Sequence, residues 1–330
     1  MSDHPLVTVI VPAFNAAQFI EASLNSLIGQ SLGSWEAIVV DDASTDSTVD
    51  LVAAMAAHDD RIRLVQLEQN AGPAAARNRG LEQARGDWIA VLDGDDLMVP
   101  DRLLCLTGRA AEVGADIISD NLVSFEDGDP STAAPYLASG RSGWLTAERY
   151  LAQGALLDDE PDLGYLKPLF RAKVFRDHEL RYDERLRIAE DDDLVLRALL
   201  AGLCYWLEPG EGYIYRRHVG SISYRLLPTH ALSMFKVSAE RLVRLESATH
   251  RRALQLRHEA IRRGLGFVLL VEALKAQHFR RIAEIVLKYP TSLPLLRLPI
   301  GAAFRRLVPA SPSAVRHPAL EQLVRETLKA

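Results

Sequence analysis

Cysteine is scarce: Cys105 and Cys204 are the only two in 330 residues. Two thiols build neither a disulfide framework nor a cysteine-based zinc site. A reducing, cytoplasmic setting is the expectation. Long apolar runs are missing too. The longest uncharged stretch, Pro5–Ile20, is 16 residues and is broken by Pro12 and Asn15. A spanning helix needs about 20 mostly apolar residues. The first residues carry Asp3 and no Lys or Arg, so they do not read as a signal peptide. No internal repeat is visible. What is present is ordinary globular usage, 48% hydrophobic and 25% charged, which excludes disorder as a whole-chain description.

The net charge of −6 hides an asymmetry. Arg241 to Arg306 holds 14 Lys/Arg and 4 Asp/Glu, a local +10 that leaves −16 for the rest. An acidic front and a basic tail suggest two tasks, one on a divalent cation and one on an anionic surface.

The first 120 residues alternate strand and helix. Leu6–Val11, Glu36–Val40, Ile62–Leu67, Trp88–Leu92 and Ala115–Ser119 read as strands. Ala16–Gln30, Ser47–Ala57, Gly72–Arg85 and Pro100–Val113 read as helices. This order predicts an α/β fold, a mostly parallel sheet with helices on both faces. Such sheets bind ligands at the carboxyl ends of their strands. Residues 124–164 are rich in Gly, Asp, Pro and Ser and read as loops, with order returning at Tyr165–Phe170. Glu190–Ala201 reads as a helix, Leu203–Leu207 and Tyr213–Arg216 as strands, and Thr229–Lys288 as two to three helices.

Acidic clusters follow two of the strands. Asp93-Gly94-Asp95-Asp96 puts carboxylates at i and i+2 around a glycine, a pattern suited to Mg²⁺ or Mn²⁺ with substrate phosphates. Asp96 reads equally well as a cap for the next helix. In Asp41-Asp42-Ala43-Ser44-Thr45-Asp46, Ser44 and Asp46 suit helix capping, whereas the Asp41-Asp42 pair has no capping task. Gly72-Pro73-Ala74-Ala75-Ala76-Arg77 opens a small-residue helix that can sit close to the sheet, and Arg77 can reach a base or phosphate or remain a surface cation. Glu190-Asp191-Asp192-Asp193 begins a helix, where one carboxylate makes a general base and Asp193 complements the dipole. His218 follows a strand and precedes Gly220-Ser221, a place suited to phosphate or metal.

Together, Val9–Asn15, Val40–Asp46, Asn70–Gly72 with Ala76–Gly80, and Gly86–Ile89 leading to Leu92–Asp96 closely resemble the family 2 glycosyltransferases. Glu190-Asp191 and His218–Ser221 fit the later part of that pattern. The resemblance covers roughly residues 5–225. Gly164-Tyr165-Leu166-Lys167-Pro168 and the basic tail resemble the bacterial exopolysaccharide members, of succinoglycan type.

The resemblance implies a GT-A, Rossmann-like fold with a C-terminal helical extension. It implies domains at 1–225, with a nucleotide-sugar half of about 1–120 and an acceptor half of about 121–225, and at 226–330. It implies donor binding by Pro12, Ala13, Phe14, Asn15, Asp41, Asp42, Arg77, Asp93 and Gly94, with Phe14 near the base. Either Asp41 or Asp42 reads the base. Asp95, with Asp93 and His218, is the implied site for Mg²⁺ or Mn²⁺, and Asp191 the implied base of an inverting transfer. Glu190, Tyr165 and Lys167 are acceptor candidates. Ala43 stands where the family more often has Gly, which is unstrained only if its φ is negative.

The implied partners are a nucleotide sugar, a UDP-sugar first, and a glycan or lipid-linked oligosaccharide. Paired arginines through Arg305-Arg306 alternate with apolar residues, which suits an amphipathic tail on an anionic membrane at the cytoplasmic face. No nucleic-acid motif accompanies the charge. A competing reading is a non-catalytic sugar-nucleotide-binding protein on the same fold. A nucleotidyltransferase is disfavoured, because the turn Pro12-Ala13-Phe14-Asn15 is not a Gly-rich basic loop.

Overall fold

Val7–Ala13 (β1), Trp35–Asp41 (β2) and Trp88–Val91 (β4) are buried almost throughout, as strands covered on both faces must be. In this computed structural model, residues 4–138, 140, 142–152, 162–221, 226–245, 247–297 and 317–329 are described. Ile20–Ile28 (α1), Thr48–Ala56 (α2) and Pro73–Gln83 (α3) alternate with β1, β2, Ile62–Gln66 (β3) and β4. The strands lie in the order β3-β2-β1-β4, all parallel. The chain builds outward from β1 to β3, then crosses to β4 on the other side. The crevice at the carboxyl ends of β1 and β4 is therefore a topological switch point, where open α/β sheets bind ligands.

Small residues set these packing distances. A Cβ on Gly80 of α3 would stand 2.5 Å from the Ile10 side chain of β1, so only glycine lets the helix lie this close. β1 runs through Pro12 to Ala13 rather than stopping at Pro12. Its register with β4 ends at Ile10, while that with β2 continues to Ala13, so the N–H that proline lacks is not needed on the β4 side.

Beyond β4 the sheet becomes mixed. Leu97–Met98 (β5), Ile117–Glu126 (β6), Asp129–Pro135 (β7), Gly143–Leu145 (β8), Leu169–Arg171 (β9) and Tyr205–Arg217 (β10) complete it. β9 lies antiparallel between β4 and β6, and β10 runs parallel to β6. Two expectations are corrected. Residues 125–135, read as loop, form the end of β6 and the β7 hairpin. The two strands read at 203–216 are one bulged strand, with Gly210 at φ 117 in the bulge. Arg102–Val113 (α4), Ala172–Asp177 (α6) and Glu190–Leu200 (α7) flank this part. α4 starts at Arg102, so Pro100 precedes it.

The chain divides into two compact units. The first comprises Met1–Thr146, Gly164–Val219 and Arg316–Ala330, and holds the sheet. Its last helix, Pro318–Thr327, returns to it: Val324 joins a core of Leu97, Val123, Phe125 and Ile214. The second unit comprises Ala147–Leu163 and Gly220–Val315. There Pro228–Arg244 (α8), Ala248–Lys275 (α9) and Phe279–Lys288 (α10) pack around Ala231, Leu265, Leu270, Ala273, Ile285 and Tyr289, and Ala147–Ala152 (α5) lies against α9. Arg305 and Arg306 lie outside the described residues. These units differ from a simple division at 225/226, since the final helix belongs with the sheet.

Candidate active site

The carboxyl ends of β1 and β2 are tied together by side chains of the following turns. Asn15 has φ 49; its N–H donates to Ser44 Oγ (2.8 Å), and its Oδ1 accepts from the Thr45 N–H (2.8 Å). Ser44 is thus a loop cross-link, not a helix cap. Asp46 lies one residue before the cap position, Ser47, and accepts from the Thr48 N–H at 3.0 Å and the Ala17 N–H at 3.1 Å, bracing the turn that opens α2. Ala43 sits at φ 60, the left-handed region, so the condition for an unstrained alanine is not met and the residue is strained.

The two neighbouring aspartates divide their work. Asp42 accepts from the Ala71 and Gly72 N–H groups at 2.7 and 2.8 Å, fixing the loop that opens α3. Asp41 accepts from the Ser44 N–H through Oδ2 (3.0 Å), while its Oδ1 is buried without a hydrogen-bond partner. Buried polar atoms are nearly always hydrogen-bonded, so this oxygen stands out as able to accept a further donor. Phe14, 46% exposed, stands at the same strand ends.

Gly94 lets the turn after β4 press against β1; a Cβ there would lie 3.3 Å from both the Pro12 carbonyl oxygen and Ile20 Cδ1. The carboxylates of this turn do not share one partner. Asp93 Oδ1 accepts from Arg77 Nη2 (2.8 Å), and its Oδ2 is 2.8 Å from Lys167 Nζ. Asp95 Oδ2 lies 2.9 Å from His218 Nε2. Asp96 is fully buried and accepts from Tyr213 Oη and the Arg216 N–H, both at 2.8 Å. It pins β10 to the turn; the cap position of α4 is Asp101. Burial, and then the charges of Asp95 and Asp93, raise the Asp96 carboxyl well above its usual range.

Arg77 is 3% exposed, so it is no surface cation. It bonds Glu190 and Asp93 and stands 3.3 Å from Asp191 Oδ1. Lys167 Nζ is 2.8 Å from Asp191 Oδ2. Five expected residues (Arg77, Asp93, Lys167, Glu190 and Asp191) therefore form one cluster. Burial pushes the Asp93 carboxyl up, but Lys167 and Arg77 outweigh it and hold it well below the usual range. Burial works against the Lys167 charge as well, yet Asp191 and Asp93 keep the ammonium protonated far above its ordinary range. Burial also raises the Glu190 carboxyl despite Arg77. Glu190 is thus a buried ion-pair partner. Tyr165 instead lies 37% exposed, its ring 5.8 Å from Tyr136 and 6.2 Å from Tyr215. The unit of Asp96, Tyr213 and Arg216 has no counterpart in the sequence reading. Its contacts, one from a side chain and one from a backbone N–H, join residues about 120 positions apart, and no local motif marks that.

Among the described residues, no group of three His, Cys, Asp or Glu side chains converges as a metal site. Asp95 and His218 do converge. Asp95 supplies one hard carboxylate donor of the kind a Mg²⁺-type ion takes alongside water and phosphate, whereas the His218 imidazole is a softer donor that such an ion does not favour. Asp93 does not fit such an ion in this arrangement, because both its oxygens face cations.

The model for "Glycosyl transferase family 2" matches residues 8–178. The chain belongs to this family and is a glycosyltransferase. It is 38% identical to the succinoglycan biosynthesis protein ExoO of Rhizobium meliloti, over 94% of this chain and 91% of that one. It is 30% identical to ExoU of the same organism, over 88% and 85%. Among solved structures, S. aureus TarS 1–349 with UDP-GlcNAc superposes with a TM-score of 0.60, covering 86% of this chain and 91% of that one at 19% identity. The Pyrobaculum calidifontis mannosyltransferase PcManGT, in complex with GDP-Man and Mn²⁺, gives 0.57 over 94% and 89% at 20% identity. These likenesses show the GT-A-like fold.

Proposed function

We propose that the chain is an inverting glycosyltransferase that moves a sugar from a UDP-sugar to a hydroxyl of a lipid-linked oligosaccharide in exopolysaccharide synthesis. The observation that carries this is the convergence of Asp93, from the switch-point turn, and Asp191, from α7, on the same two cations. A donor-side carboxylate and a candidate base thereby stand side by side across two shared cations. The bare Oδ1 of Asp41 suits the imide N–H of uracil, and Phe14 offers a face for the base. Asp191 takes the proton of the acceptor hydroxyl as that oxygen bonds to the anomeric carbon. The bond from that carbon to the diphosphate breaks on the opposite face, so one displacement inverts configuration. Asp95, with His218 beside it, would hold a Mg²⁺ or Mn²⁺ ion, which would supply positive charge against the departing diphosphate.

The relative ExoO, named for succinoglycan biosynthesis, supports an exopolysaccharide product. Among the described residues no helix is long and apolar enough to cross a membrane. In the second unit, Phe279 and Leu287 of α10 are 80% and 83% exposed beside Arg280, Arg281 and Lys288. Such a helix suits peripheral binding to an anionic membrane on the cytoplasmic side, where a lipid-linked acceptor would stand. Sedimentation with anionic vesicles, reduced by Arg280→Glu/Arg281→Glu, tests it.

The central test is nucleoside diphosphate release from a panel of sugar nucleotides, with Mn²⁺ or Mg²⁺ and with EDTA. Release should need metal and disappear in Asp95→Ala. Asp191→Asn should lower it by about 10²–10⁴-fold. Donor binding without turnover, even with acceptors from a membrane extract, would favour a non-catalytic binding protein.

A further inference from the structure

Four contacts close a ring of alternating charge. Arg77 Nη2 meets Asp93 Oδ1 (2.8 Å), Asp93 Oδ2 meets Lys167 Nζ (2.8 Å), Lys167 Nζ meets Asp191 Oδ2 (2.8 Å), and Asp191 Oδ1 returns to Arg77 Nη1 (3.3 Å). Each carboxylate gives one oxygen to the arginine and the other to the lysine. The ring joins α3, the turn after β4, the segment before β9 and the first turn of α7.

Lys167 is anchored from behind. Its carbonyl accepts from Arg102 Nη2 at 2.5 Å, and Arg102 is itself held by Asp120 through Nε (3.0 Å) and Nη2 (2.9 Å). Pro168 follows and restricts residue 167 to extended backbone. The lysine is 8% exposed, so its ammonium is held by protein rather than water. Without it, Asp191 would keep only the longer contact to Arg77, and the mutual repulsion of Asp93 and Asp191 would go unshielded on that side.

We propose that Lys167 is a positioning residue that acts through Asp191: it fixes the base at a set distance from the donor side before the acceptor arrives. The proposal rests on the glycosyltransferase reading of the site. The rival role for a buried lysine here is to bind the donor's diphosphate directly. The two differ in what happens when the base is already gone.

The experiment is a double-mutant cycle of Lys167→Met and Asp191→Asn, read as kcat and donor KM. It uses the sugar nucleotide that the wild type turns over fastest in a panel of UDP-, GDP- and dTDP-sugars. A displaced base costs about 10²-fold in rate, so Lys167→Met should lower kcat by that order and leave donor KM within about threefold. The double variant should be within about threefold of Asp191→Asn alone, because residues that act as a unit are not additive. Multiplied losses in the double variant, or a tenfold rise in donor KM with kcat retained, overturn the proposal in favour of a donor contact. If Lys167→Met does not fold, Lys167→Arg keeps the charge and moves the donor atoms, and the same cycle is read with it. An Asp191→Asn variant as active as the wild type, or no turnover by the wild type with any donor, overturns the underlying reading and this proposal with it. That failure is distinct, because it shows before Lys167 is altered.

Discussion

Replacing Arg77 by methionine tests the electrostatics of the cluster. The side chain is 3% exposed and faces three carboxylates, Asp93, Glu190 and Asp191. Removing one partner of a buried ion pair costs about 3–5 kcal/mol. Here the loss is shared unequally. Asp93 and Asp191 retain Lys167, while Glu190 loses its guanidinium. Glu190 already has its carboxyl raised by burial. Without Arg77 it takes up a proton, and each tenfold change in proton affinity that this demands costs about 1.4 kcal/mol. The expected deficit at pH 8 is about 3 kcal/mol, the low end of the range. Its sign with pH follows. The variant's native state holds the Glu190 proton to higher pH than the wild type's, so its stability deficit shrinks as pH falls. Urea unfolding followed by tryptophan fluorescence isolates the effect, since Trp35, Trp88, Trp144 and Trp206 all lie in the sheet-bearing unit. A deficit below about 1 kcal/mol would be a surface value and would refute the buried ring. So would a deficit that grows on acidification.

Other outcomes follow from single features. Ala43→Gly relieves a left-handed alanine worth about 1–2 kcal/mol, offset in part by glycine's chain entropy of roughly 0.5–1 kcal/mol; a small rise in urea midpoint is expected, and Ala43→Val should lower it. At Glu36 burial raises the carboxyl, but hydrogen bonds from Arg85 and Thr8 outweigh it and leave it below its ordinary value. Its contribution is therefore present above the unfolded carboxylate range and is lost as pH falls through the lower folded value; Glu36→Gln should flatten the acid limb of a stability–pH curve. Phe125→Ala, at a fully buried position, should cost about 3–5 kcal/mol in urea unfolding. Deleting residues 317–330 uncovers the same core around Val324 and should produce strong binding of an apolar dye.

The strand ends are legible in the sequence because parallel strands are apolar runs that stop abruptly, and Asp41 and Asp93 mark the stops. The run Gly72-Pro73-Ala74-Ala75-Ala76 likewise announces a helix that can sit close to the sheet, although the glycine that makes the contact, Gly80, carries no such mark. The β7 hairpin is not legible: Asp129–Pro135 has little strand propensity of its own and takes its form from pairing with β6. Pro209-Gly210 reads as an end to a strand, yet the chain absorbs both residues in a bulge and continues. The ring of Arg77, Asp93, Lys167 and Asp191 is hidden for a different reason. Its members are visible singly, but ion pairing between residues as far apart in the chain as Arg77 and Asp191 leaves no local period.

The fold itself sorts the acidic residues that the sequence could only count. A helix dipole contributes about 0.3–1 kcal/mol per favourable charge, too little to hold four adjacent carboxylates together at the start of α7. Three of them have named cations instead: Glu190 has Arg77, Asp191 has Lys167, and Asp193 accepts from Arg197 Nε at 2.8 Å. Asp42 spends both oxygens on backbone N–H groups, Asp46 accepts from the first N–H of α2, and Asp96 braces β10. Those carboxylates are consumed by structure. Asp93 and Asp191 share Arg77 and Lys167, whereas Asp41 keeps a bare oxygen and Asp95 faces His218, so these last two are what the architecture leaves for a ligand. Asp41 and Asp95 lie at the ends of β2 and β4, where the proposed transfer would place the donor's base and diphosphate.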